Sequence, residues 1–200
     1  MFLSTSNTSV HKLLYEHFSP NYDDNRWRLN FQNYELHYLS VVFEAIDRLT
    51  SSGNYVDVRP HPHEYWPGWK RWRKSALNKD KISLNRDIDL ANWIDSNAAC
   101  ITSFSTTSLD CIVRDVPAIS LEKLVEDEVQ RVPEIKTPLM GEYSWKPSTL
   151  TEMMLLIDKA NRGELDASPN IKSAEDFIEA NFHWPREKSS ATFCADEIFD

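Results

Sequence analysis

Between Phe31 and Leu121, short runs of β-forming residues alternate with stretches whose apolar side chains recur every three or four positions, and the joins are only a few residues long. Few folds accept that order. Strand, helix and strand in quick succession call for parallel βαβ units, and right-handed crossovers then wind helices over both faces of one sheet. The β-runs there are "YVDVR" (55–59), "KISLN" (81–85), "AACITSF" (98–104) and "PAISL" (117–121), and "FLST" (residues 2–5) is a fifth run ahead of them. The expected fold class is therefore α/β, a doubly wound, mainly parallel Rossmann-like sheet of about five strands.

The helical signals are local and of several kinds. Phe31, Tyr34, Leu39, Val42, Phe43, Ile46 and Leu49 form one stripe, which Gly53 and Asn54 end. "HEYWPGWKRWRKSAL" is a broken helical segment, "LANWIDSN" and "TTSLDCIVRD" are short helices, and Thr149 with Glu152 has capping-box spacing for a helix stopped by Gly163. From Glu122 to Ser148 breakers dominate and the segment reads as a long surface connection. Two further helical segments, from about Ser173 and Ser189, close the chain, giving a main domain over 1–165 and a helical tail over 166–200 that is expected to pack either back on that domain or on a separate preceding domain.

Charge and cysteine usage exclude several classes. A formal charge of −9 opposes nonspecific nucleic-acid binding, because phosphate contacts need a positive face. The basic run "WKRWRK" (69–74) reads chiefly as the solvated side of a short helix whose tryptophans face inward, with a sugar or lipid-phosphate contact as the other reading. Cys100, Cys111 and Cys194 are an odd set with no C-x-x-C spacing, so neither a disulfide frame nor a zinc site is expected. No apolar run is long enough to span a bilayer, and "MFLSTSNTSVHK" lacks a basic leader, so the expected location is cytoplasmic, with peripheral association at an inner membrane left open.

Ligands of open parallel sheets collect beyond the carboxyl ends of the strands. That selects "STSNTS" with Ser4, Thr5 and Asn7, "PHPHE" after the second strand, and "SFSTTS" after the fourth. Ser105, Thr106 and Thr107 stand at a strand-to-helix junction suited to phosphate, or equally to ordinary helix capping, and Asp110 one turn later suits ribose hydroxyls. His61 sits between Pro60 and Pro62 on a stiff backbone, and Arg59 can fork onto a phosphate. His61 and His63 with Glu64 lack a metal-binding helical spacing, and "DID" (87–89) reads as a helix cap rather than a metal motif. With four glycines and neither G-x-G-x-x-G nor a P-loop, dinucleotide and ATP sites of those designs are disfavoured.

"VRPHPHE" followed by "DLANWIDSNAACITSFSTTSLDCIVRDVPAIS" resembles the donor-binding, C-terminal half of two-domain GT-B glycosyltransferases, in particular bacterial surface carbohydrate biosynthesis proteins. "FLSTSN", "TPLMGEYSWKPSTLTEMMLLI" and "SATFCADEI" extend the likeness over nearly the whole chain, and Asp115-Val116 stands where that pattern has a glycine-bearing turn. The histidine-proline and serine-threonine motifs are also similar to those of capsule Kdo transferases and sialyltransferases. The resemblance implies a metal-independent transfer, without cofactor, of a sugar from a nucleotide donor, CMP-linked among the candidates, to a surface polysaccharide or lipopolysaccharide. By that resemblance Arg59, His61, Pro62, Glu64, Ser105, Thr106, Thr107 and Asp110 belong to the donor site. The acceptor domain that such enzymes carry at their N-terminus is expected as a preceding half or a partner subunit, and no catalytic base is assigned. The alternatives are a noncatalytic nucleotide-sugar binding module and a sugar-nucleotide 2-epimerase-like enzyme.

Overall fold

The structure, a computed structural model, describes residues 22–61, 64–102, 105–126 and 142–181, with side chains in the first helix from residue 33 and not at 35. The β-run at 2–5, with Ser4, Thr5 and Asn7, lies outside the described residues, as do Pro62, His63 and the helical segment from Ser189.

Helix α1 (Tyr22–Ser51) buries Tyr34, Tyr38, Val42, Ala45, Ile46 and Leu49. Tyr38 occupies the buried place that periodicity assigned to Leu39, because 34, 38 and 42 form one i, i+4 row; Leu39 is half-buried beside it. The helix ends in a Schellman turn. Asn54 N–H donates to Leu49 O at 3.0 Å and Gly53 N–H to Thr50 O at 3.2 Å, with Gly53 at φ +101°.

Strand β1 (Val56–Val58) then leads through a loop to α2 (Trp66–Ser75) and on to β2 (Ile82–Leu84), which pairs with β1 in parallel, Val56 opposite Ile82 and Val58 opposite Leu84. Helix α3 (Leu90–Asp95), β3 (Cys100–Thr102), α4 (Thr107–Val113) and β4 (Ala118–Ser120) repeat the unit, with β3 parallel to β4. Helix α5 (Leu150–Asn161) and helix α6 (Ile171–Asn181) are the α-helices that follow β4 among the described residues. The class is mixed α/β, with the four strands in two parallel two-stranded ladders.

Alternation along the strands sorts their side chains to two faces. Val56, Val58, Ile101 and Ile119 join the larger core cluster with α1 and α5, whereas Cys100 and Ala118 join a second cluster with Trp93, Leu109, Ile112, Ala174 and Ile178. On the Cys100 and Ala118 side, α6 packs on α4.

The stretch after Leu121 is more than a surface connection at its two ends. Val125 is buried in the larger core. Trp145 bridges to Ile119 in parallel, accepting from Ser120 N–H and donating to Ala118 O, both at 2.8 Å, on the edge of β4 away from β3. A one-residue bridge has no period, so no sequence pattern announces it.

Candidate functional site

Two loops chosen from sequence follow the carboxyl ends of parallel strands: 59–64 beyond β1 and 105–110 beyond β3. The first is closed on itself. His61 N–H donates to Glu64 Oε2 at 3.0 Å, Glu64 N–H donates back to His61 O at 2.9 Å, and Trp69 Nε1 reaches the same Oε2 at 3.2 Å. A backbone turn from 61 to 64 is thus closed by its own carboxylate, which reaches back to the N–H three residues earlier, one turn ahead of α2. The Glu64 carboxylate therefore shapes the loop, and with Pro60 buried the backbone that carries His61 is held from both sides.

Arg59 is engaged with the fold. Its guanidinium lies 5.5 Å from the Trp93 ring centroid and donates to the carbonyl of Ile88, tying the end of β1 to the turn before α3. In that turn Asp89 accepts from Ala91 N–H at 3.1 Å and Asn92 N–H at 3.3 Å, so the "DID" carboxylate is a cap, as its position before a helix suggests.

The serine-threonine turn divides its duties. Ser105 Oγ accepts from Thr107 N–H at 3.2 Å and donates to Thr107 Oγ1 at 3.0 Å, while Ser108 Oγ donates to Ser105 O at 2.9 Å. Thr107 and Ser108 are buried. Thr106, at the helix entrance, is exposed and its side chain makes no capping bond. Asp110, half-buried in the first turn of α4, has its carboxyl raised above the ordinary range by desolvation, with the charge of Arg114 acting in the opposite direction. Contacts of the two loops are made by separate sets of residues: 61, 64 and 69 in one, 105, 107 and 108 in the other.

Sequence reasoning missed a polar centre on β1. Asp57, on the β1 face opposite Val56 and Val58, accepts from Trp93 Nε1 at 2.8 Å, from Ser83 Oγ at 2.7 Å and from Asn85 Nδ2. Its neighbour two residues on, Arg59, points to the same side and covers the same indole. A carboxylate between two valines in "VDV" was the available signal.

Beneath α4, Cys111 and Cys100 are both buried and free, and Cys111 is pushed up by a hydrogen bond with the Cys100 thiol and by burial. Among the described residues no group of three His, Cys, Asp or Glu side chains is arranged to hold a metal ion. Two clefts are formed elsewhere. One of about 410 Å³ lies between Trp145 and the α5 face carrying Glu152, Leu155, Leu156 and Lys159, and one of about 200 Å³ lies at the amino ends of β1 and β2 beside Asp57, Arg73 and Lys81. Neither is lined by a residue that the sequence assigned to the donor site.

No family model, curated protein or solved structure matches this chain.

Proposed function

We propose that the chain is the donor-binding half of a glycosyltransferase, taking a nucleotide-activated sugar and passing it with an acceptor-binding partner to a surface glycan. The observation that carries this reading is the position of two anion-suited loops, one bearing His61 and the other Thr106, each past the carboxyl end of a strand in a parallel α/β fold. The resemblance of "VRPHPHE" and "SFSTTSLD" to transferase motifs supplies the reaction class. The reading includes the five-strand, doubly wound sheet, with the β-run at 2–5 joining the two ladders and bringing Ser4, Thr5 and Asn7 to the same rim.

Within that site His61 and the Thr106 hydroxyl contact the donor phosphate, and Asp110 takes a ribose hydroxyl. Arg59 and Glu64 act at one remove, by holding the loop that aims His61. No metal is required, because a donor's departing phosphate is stabilised by imidazole, hydroxyl and backbone N–H groups.

Thermal-shift titration with CMP, CDP, UDP and GDP tests this, since a ligand of the native state alone raises the melting point. One of the four is expected to do so, and His61→Ala is expected to weaken its binding roughly tenfold or more, about 1.4 kcal/mol. If no nucleotide shifts the melting point, the donor-site reading fails. If binding holds while sugar transfer is never recovered with a supplied acceptor domain, the chain is a noncatalytic nucleotide-sugar module.

A further inference from the structure

The charge of this acidic chain is segregated. Residues 59–86 contain eight of its 22 Lys and Arg and two of its 31 Asp and Glu, a net of +6 against −15 for the remainder. Helix α2 concentrates the excess. Trp69 is buried, and Trp72 packs on Phe43 with ring centroids 4.8 Å apart, so both indoles belong to the core. At 100° per residue, Lys70, Arg71 and Lys74 then share an arc of about 100° on the opposite face, where all three are exposed.

Apolar groups project at both ends of this basic arc. Tyr65, at the N-cap, is 65% exposed and Leu77, two residues past the helix, is 91% exposed. Arg71 lies 5.6 Å from the Tyr65 ring centroid, and Lys70 and Arg86 lie 5.3 and 5.9 Å from that of Trp66. Cations seated around amphipathic rings, beside a bare leucine, match the boundary between anionic headgroups and acyl chains. A single-stranded nucleic acid fits less well, because the two indoles interleaved with the cations face inward and offer no stacking surface.

We infer that the outer face of α2, with Tyr65 and Leu77 at its ends, docks the protein on an anionic phospholipid bilayer. Lys70, Arg71 and Lys74 supply the attraction, and Leu77 and the Tyr65 ring enter the interface. The docking is peripheral and reversible, because it uses one face of a helix whose other face is packed in the core. It stands independently of the donor-site reading, which concerns other residues.

Co-sedimentation of the full chain with phosphatidylcholine vesicles, with and without equimolar phosphatidylglycerol, provides the test. Binding is expected only to the anionic vesicles and to vanish in about 1 M salt, where screening acts beyond roughly 3 Å. The triple variant Lys70→Gln/Arg71→Gln/Lys74→Gln should lose about a hundredfold in partitioning, from about 1 kcal/mol per cation. Leu77→Ser should lose several-fold while keeping the salt dependence, and its exposure makes misfolding no explanation. Absence of binding to anionic vesicles at low salt overturns the inference, as does binding that survives the triple variant. Patch-dependent binding to a single-stranded oligonucleotide in place of vesicles, or salt-sensitive self-association through the patch, assigns the face to another occupant and overturns it equally.

Discussion

The indole N–H of Trp93 donates a 2.8 Å hydrogen bond to the carboxylate of Asp57, joining helix α3 to the β1–β2 ladder across 36 residues of sequence. Ser83 and Asn85 complete the carboxylate's partners from β2 and its exit, and Arg59 covers the face of the same indole. Asp57 and Arg59, two apart on one strand, thereby grip one tryptophan by its edge and its face. The arrangement fixes where α3 sits, and with it the turn at 85–89 that receives Arg59.

Replacing Trp93 by Phe keeps a ring for Arg59 and removes the donor to Asp57. A cost of about 1.5–3 kcal/mol is expected, the usual range for a hydrogen bond to a charged group, read as a fall in the urea midpoint. Trp93→Ala, which also empties a fully buried site, should cost about 3–5 kcal/mol. Equal stability of Trp93→Phe and the parent would show that the Asp57 bond contributes nothing.

Helix α4 ends in the same Schellman turn as α1 and α5, but with an aspartate in the left-handed position. Val116 N–H donates to Cys111 O at 2.9 Å and Asp115 N–H to Ile112 O at 3.0 Å, with Asp115 at φ +55°. Asp115→Gly should stabilise the chain by about 0.5–1 kcal/mol, because relief of the left-handed strain exceeds the added freedom of the unfolded chain. Gly163→Ala, at φ +68°, should destabilise by about 1 kcal/mol. Chemical denaturation reads both, and a destabilised Asp115→Gly would mean that the aspartate side chain contributes more than its backbone strain costs.

Asp110 links pH to stability with a definite sign. Its folded carboxyl is raised from 3.8, so the folded state holds a proton that the unfolded state has released as pH climbs past that value. Stability from this group is full below 3.8 and is lost as pH rises through the folded value. Asp110→Asn should match the parent in strong acid and exceed it at neutral pH, while weakening nucleotide binding if the ribose contact is real. Parallel stability–pH curves for the two proteins would exclude the raised carboxyl.

Ser105 and Thr106, adjacent in the chain, are expected to separate folding from binding. Ser105→Ala removes the hydroxyl that receives Thr107 N–H and should cost about 1 kcal/mol. Thr106→Val touches an exposed side chain without a capping bond and should leave the melting point nearly unchanged while reducing nucleotide affinity. Should Thr106→Val unfold the domain and leave affinity intact, the turn is purely structural.

Local chemistry accounts for the parts of this fold that could be read along the chain. Gly53 and Gly163 mark helix ends because they relieve a left-handed φ, Asp89 and Thr149 mark helix starts because their oxygens reach N–H groups two or three residues on, and the four described β-runs stand where they were read. Even there a partner moved: the Glu152 carboxylate bonds Ser148 N–H at 2.7 Å, one residue ahead of the box that Thr149 opens. What depended on packing was out of reach. Whether Glu64 turns to Trp69 or outward, whether Arg59 lies on Trp93, and whether Trp145 adds to β4 are settled only when elements far apart in sequence come together, since such contacts carry no period and no neighbouring residue to announce them. The composition of the two loops was in the sequence; which of their groups remain turned to solvent was decided by the partners that folding brought to the others.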